Sequence, residues 1–147
     1  MKTVNEMKLT IESRSSNESF ARVAVTAFVA GLDPTIEEIN DIRTCVSEAV
    51  TNCIVHAYKE NLGKIYITVS LSEDALVTIK IRDRGCGIAD VERAVEPLFT
   101  TDPDGERSGM GFTVMENFMD SMSVKSTVGK GTRVTMRKKL SSLPVKK

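Results

Sequence analysis

The chain has 147 residues, 41% of them apolar and 27% charged, and its 20 Lys and Arg cancel its 20 Asp and Glu. That is the size of one ordinary domain, able to fold without a disulfide or metal staple. Zero net charge argues against a general binder of nucleic acid or membrane surfaces, which needs a basic excess.

The longest apolar stretch, 23–32, is broken by Thr26 and Gly31 and falls well short of the ~20 residues of a membrane span. No apolar core follows the N-terminus, so no secretion signal is expected. Three cysteines without a C-x-x-C pair suit a reducing cytoplasm, and they are expected to be small core residues.

Met7 to Ser13 alternates apolar and polar and predicts a strand. Ser15, Ser16 and Asn17 offer helix N-caps. Phe20, Val23, Ala24, Ala27 and Phe28 then recur at helical spacing up to Gly31, which stands where a C-terminal glycine belongs. A second helix starts at a capping box of Thr35 with Glu38, or at Asp33 with Pro34 in first position. Its apolar stripe is Ile36, Ile39, Ile42, Val46, Ala49, Val50 and Cys53, and the pattern runs to about Ala57. Tyr66–Leu71 and Leu76–Arg82 predict two strands joined by a tight turn.

A glycine-rich turn, Asp83 to Gly87, follows directly. A short helix is expected over Asp90–Glu96. Leu98–Gly109 is polar and aperiodic, the pattern of a mobile functional loop. Met110–Met122 resumes helical spacing. Ser123–Val128 and Thr132–Lys138 predict a hairpin around Gly129–Gly131. Residues 1–140 are expected to form one domain and 141–147 a frayed tail. With hairpin-linked strands and few helices, the expected fold class is α+β. It is a two-layer α/β sandwich, one mixed, mostly antiparallel sheet with helices on one face.

Four segments carry chemistry. On the second helix, Glu48, Asn52 and His56 stack four residues apart and border the apolar stripe. A carboxylate there can accept a proton, and an amide oxygen suits magnesium, which takes few protein ligands plus phosphate oxygens. Asp83-x-Gly85-x-Gly87 puts an acceptor for an exocyclic amine at a strand end, beside glycines that admit a flat ring. Arg107-Ser108-Gly109-Met110-Gly111 opens a helix, whose free N–H groups form a phosphate site. Gly131-Thr132 brings a hydroxyl into the last strand. Taken singly, these read as a solvated helix border, a plain glycine turn, a flexible loop and a hairpin.

Their order and spacing resemble the GHKL superfamily, the Bergerat ATP-binding fold of gyrase, Hsp90 chaperones, histidine kinases and MutL. Glu48–His56 matches the N box, Asp83–Gly87 and Arg107–Gly111 the glycine boxes, and Gly131-Thr132 the closing motif. Further segments are Asn17–Arg22, Leu32–Thr35, Ser47–Asn52, Pro97–Thr101, Glu106–Phe112 and Met115–Asp120. With them the chain is similar, over nearly its whole length, to the anti-sigma-F family of serine kinases from spore-forming bacteria.

The resemblance implies a homodimer that holds a sporulation sigma factor inactive and phosphorylates a serine of an anti-anti-sigma partner. It implies ATP or ADP with Mg²⁺ as ligands, Glu48 as the catalytic carboxylate and Asn52 as the metal ligand. It also implies nucleotide contacts from Asn52, His56, Asp83, Gly85, Gly87, Thr100, Thr101, Arg107, Ser108, Gly109, Met110, Gly111 and Thr132. Arg22, and Arg107 as well, become candidates for partner contact. Two other functions fit the motifs: a nucleotide-gated binding protein without catalysis, and a detached histidine-kinase catalytic domain. The latter needs an acceptor histidine on a dimerising helix pair, and the one histidine here lies in the N box.

Overall fold

The computed structural model describes residues 2–59, 61–96 and 111–141. Strand β1 (Thr3–Glu12) keeps Val4, Met7, Leu9 and Ile11 half-buried against the core. A register shift between Thr3 and Asn5 accounts for the three-residue step from Val4 to Met7.

Helix α1 (Ser16–Val29) buries a narrow stripe of Ala21, Val25 and Val29. This differs from the sequence expectation: Phe20 and Val23 are 52% and 60% exposed. The small and β-branched stripe allows α1 to lie close to the next helix, and the bulkier residues turn outward beside Arg22. Gly31 does not cap the helix either. The chain passes through a 3₁₀ turn, Ala30–Leu32, and Asp33 takes the left-handed conformation (φ 53°), a site aspartate tolerates better than most side chains.

Helix α2 (Ile36–Asn52) starts on the capping box: Thr35 Oγ1 accepts from Glu38 N–H, and Glu38 accepts from Thr35 N–H at 2.8 Å. Burial alone would raise the Glu38 carboxyl, but bonds from Thr35 and Ser141 more than compensate and lower it. Ile42, Cys45, Val46, Ala49 and Val50 face the core, while Ile36, at the helix start, is 81% exposed. The helix then widens into a π-helical turn, Cys53–Ala57.

Strands β2 (Lys64–Ser72) and β3 (Leu76–Asp83) pair as a hairpin. Helix α3 is one turn, Val91–Ala94, capped by Asp90. Helix α4 (Gly111–Phe118) is shorter than its apolar spacing predicts, because Met122 belongs to β4 (Ser121–Thr127). Strand β5 (Gly131–Lys139) completes one five-stranded sheet ordered β1-β2-β3-β5-β4, with every pairing antiparallel.

One sheet face carries Ile65, Ile67, Val69, Val77, Ile79, Ile81, Val134 and Met136, all buried. Helix α2 packs between α1 and α4 over that face. Each fully buried isoleucine contributes about 1.5–3 kcal/mol to this core. The expected sandwich of one sheet under a helical layer is what forms, and it sets the end of α2 beside the end of β3 and the start of α4. The sequence 97–110, with the expected loop, and residues 142–147 lie outside the described residues.

Candidate functional site

Three ends of secondary structure meet here, each exposing backbone that regular pairing leaves unused. Asp83 is the last residue of β3, and its side chain turns inward to 5% exposure. Its Oδ1 accepts the Gly85 N–H at 2.9 Å and the Thr132 N–H at 3.2 Å. Both backbone bonds fall on Oδ1. Burial pushes the Asp83 carboxyl up, against the lowering effect of Gly85, the Cys53 thiol and Thr132. Cys53 itself is raised well above its usual value, by burial first and Asp83 second.

The turn after Asp83 is clamped from two sides. On the helix side, Cys86 N–H donates to the Ala57 carbonyl at 3.0 Å, and any Cβ at Gly85 would overlap that same carbonyl. On the hairpin side, Gly129 N–H donates to the Cys86 carbonyl at 2.8 Å and Ile88 N–H to Ser126 Oγ at 2.7 Å. Ser126 also contacts Thr132 Oγ1 at 2.8 Å. Gly87 (φ 77°) lies in this turn. Gly131 must be glycine twice over: its φ is +125°, and a Cβ would strike the Asp83 carbonyl oxygen.

Helix α4 begins against α2. A Cβ on Gly111 would stand 3.0 Å from Glu48 Oε2 and 3.4 and 3.5 Å from Asn52 Nδ2 and Oδ1. Gly111, the first described residue of α4, thus stands against both the Glu48 carboxylate and the Asn52 amide. Glu48, Asn52 and His56 are each half-buried, the border position their spacing predicts. Among the described residues no three His, Cys, Asp or Glu side chains cluster as a metal site. A cation here would take one amide oxygen from the chain and the rest of its ligands from phosphate and water, the pattern magnesium favours.

The structure therefore brings together Glu48, Asn52 and Gly111 at one end, and Asp83, Gly85, Gly87 and Thr132 at the other, with His56 on the turn between. Thr100, Thr101, Arg107, Ser108, Gly109 and Met110 lie outside the described residues. Arg22 stands apart on α1, its Nε 3.7 Å from Glu18 Oε2. Glu18 in turn accepts from Ser47 Oγ, one residue before Glu48, so α1 and the functional helix are tied directly.

Sequence reasoning missed three contributors: Glu18, Ser126 and Cys53. Glu18 and Cys53 lie inside matched segments, but the contacts through which all three act are made by the tertiary fold and no local pattern announces them. Cys86 also departs from expectation. It is exposed, whereas Cys45 and Cys53 are buried.

Residues 11–138 match the family described as histidine kinase-like ATPase domain. The anti-sigma F factor of Bacillus subtilis is 57% identical over 138 residues, spanning 93% of this chain and 94% of that protein. That of Thermoanaerobacter sp. is 56% identical over 142 residues, spanning 97% and 99%. The fold is similar to the RsbU and RsbW domains of a Mycobacterium tuberculosis protein (TM-score 0.70, 18% identity, 97% of this chain and 35% of that one). It is also similar to full-length ShkA, solved with AMPPNP (TM-score 0.58, 18% identity, 73% and 23%). The site geometry and these relatives agree, and the chain belongs to the anti-sigma F factors, within the histidine kinase-like ATPase domain family.

Proposed function

We propose that this chain binds and inhibits a sigma-F-type sigma factor and phosphorylates a serine of an anti-anti-sigma protein with ATP. The observation that carries the catalytic part is the convergence of Glu48, Asn52 and the start of α4 on Gly111. A carboxylate, a hard amide oxygen and helix N–H groups at one point are the parts phosphoryl transfer needs, because that reaction depends on positioning and charge stabilisation.

In this reading the adenine amine donates to the Asp83 carboxylate, which Gly85 and Thr132 hold in place through Oδ1. Gly85 and Gly87 line the base, and Thr132 stands beside it. The phosphates run from there toward Gly111, past His56 and Asn52. Magnesium bound at Asn52 would neutralise phosphate charge. Thr100, Thr101, Arg107, Ser108, Gly109 and Met110 complete the phosphate contacts by family resemblance. Glu48 takes the proton of the attacking serine. The serine oxygen forms a bond to the γ-phosphorus, the bond from that phosphorus to the β-bridging oxygen breaks, and ADP leaves.

The exposed Phe20 and Val23 flank Arg22 on α1. Apolar side chains around an arginine are the composition of a binding hot spot, so this face is assigned to the sigma factor or to a second copy in a homodimer. Incubating the protein with γ-labelled ATP and an anti-anti-sigma protein tests the reading. Label on a serine of the partner is expected. ATP turnover without a labelled acceptor contradicts it.

A further inference from the structure

The sheet has a second face, turned away from the helices. On strands β3, β5 and β4 its outward positions hold Lys80, Arg82, Lys125, Arg133 and Arg137, all exposed. The only acidic residue of those three strands, Asp83, points the other way and is buried. Among the described residues none of the five cations forms an ion pair with a carboxylate.

The register aligns three of them. Arg82 is opposite Arg133, and Arg133 is opposite Lys125. At one end of the face is a groove of about 330 Å³ lined by Arg82, Arg84, Lys125, Lys130 and Arg133, and it reaches Asp83 and Thr132, where it borders the nucleotide site. In a chain of zero net charge, this concentration leaves the rest of the surface net acidic.

We propose that the open face of β3, β5 and β4 docks an acidic helix of a partner protein. Charge complementarity selects an anion, and spacing selects a helix. Neighbouring strands lie roughly 4.8 Å apart, so Arg82, Arg133 and Lys125 form a ladder with that step. Carboxylates four residues apart on a helix lie about 5–6 Å apart. Three glutamates on one helical face therefore meet the three cations in turn, when the helix axis crosses the strands.

Single-stranded nucleic acid fits less well. It is held by aromatic rings on which bases stack, and among the described residues the aromatic neighbour on this face, Tyr66, is already covered. The Arg82 and Arg84 guanidiniums sit 4.7 and 5.0 Å from its ring centre.

The test uses the full chain, an alanine-based helical peptide with glutamates at three successive i, i+4 positions, and the same peptide with glutamines. Fluorescence anisotropy at low salt should show the glutamate peptide binding at least about tenfold tighter, with the preference shrinking as salt rises. Arg133→Glu combined with Lys125→Glu should remove that preference, while thermal melting and nucleotide binding stay as in wild type. Equal binding of the two peptides, or undiminished binding to a folded double variant, overturns the proposal. So does tighter binding of oligothymidylate than of the glutamate peptide, which reassigns the face to nucleic acid. The ladder of Arg82, Arg133 and Lys125 takes no part in the proposed transfer, so failure here leaves the kinase reading untouched, and failure of phosphotransfer leaves this one untouched.

Discussion

Replacing Asp83 by asparagine and by alanine separates its structural work from its ligand work. The carboxylate Oδ1 holds two backbone N–H groups, that of Thr132 buried and that of Gly85 partly buried. Asparagine keeps an oxygen for both bonds. Alanine leaves both donors unpaired, at about 1–3 kcal/mol each. For a domain of this size each kcal/mol moves Tm by roughly 2–4 °C. Asp83→Ala should therefore melt at least about 4 °C below wild type, and Asp83→Asn close to it.

Nucleotide binding should follow a different order. Asparagine places an amide donor where the adenine amine needs an acceptor. Loss of a hydrogen bond to a charged group is worth about 1.5–3 kcal/mol, so ATP should bind roughly 10–150-fold more weakly. The variants also differ with pH. Burial raises the Asp83 carboxyl above its usual 3.8, so the folded state holds that proton more tightly than the unfolded state. Wild type then loses stability as pH rises from 3.8 through the raised value, whereas the asparagine variant does not. The stability difference should shift toward asparagine over that window. Calorimetric titration with ATP and melts across the acid range measure both effects. Wild-type ATP affinity in a folded Asp83→Asn, or melting of that variant as low as Asp83→Ala, refutes the reasoning.

Three more outcomes are expected. Glu48→Gln should retain ATP binding and lose serine phosphorylation by about 10²–10⁴-fold, the usual contribution of a general base, read by labelled transfer. Asn52→Ala should weaken ATP binding with Mg²⁺ present and leave binding in chelator nearly unchanged, which paired titrations with and without the cation would show. Iodoacetamide should modify native protein at exposed Cys86 alone, and all three thiols once unfolded, by mass spectrometry. Cys45 and Cys53 are buried, and burial pushes Cys45 up to about 12.

How far the sequence disclosed this depended on how local the signal was. The capping box of Thr35 and Glu38 is a four-residue pattern and formed as read. The β2–β3 and β4–β5 hairpins followed from alternation and turn residues. Errors arose where two apolar stripes competed. In α1 the stripe of Phe20 and Val23 was as periodic as that of Ala21, Val25 and Val29, and only the close approach of α2 decides between them. Met122 continued the helical spacing of α4 as well as the alternation of β4.

In the site, the N-box helix and the Asp83 turn were legible because spacing alone aligns Glu48 with Asn52 and ends β3 at the aspartate. The clamp on that turn was not, since Ala57, Ser126 and Gly129 reach it from distant parts of the chain. The link from Arg22 through Glu18 to Ser47 was likewise invisible, because it joins two helices whose packing no local pattern encodes.

The most direct measurement is a crystal structure of the chain with AMPPNP and magnesium. The adenine amine should lie within hydrogen-bond distance of Asp83, with the triphosphate ending between Asn52 and the first turn of α4. A nucleotide seated elsewhere, with Asp83 and Asn52 contacting different molecules or none, contradicts the single site on which the nucleotide and catalytic roles assigned above rest.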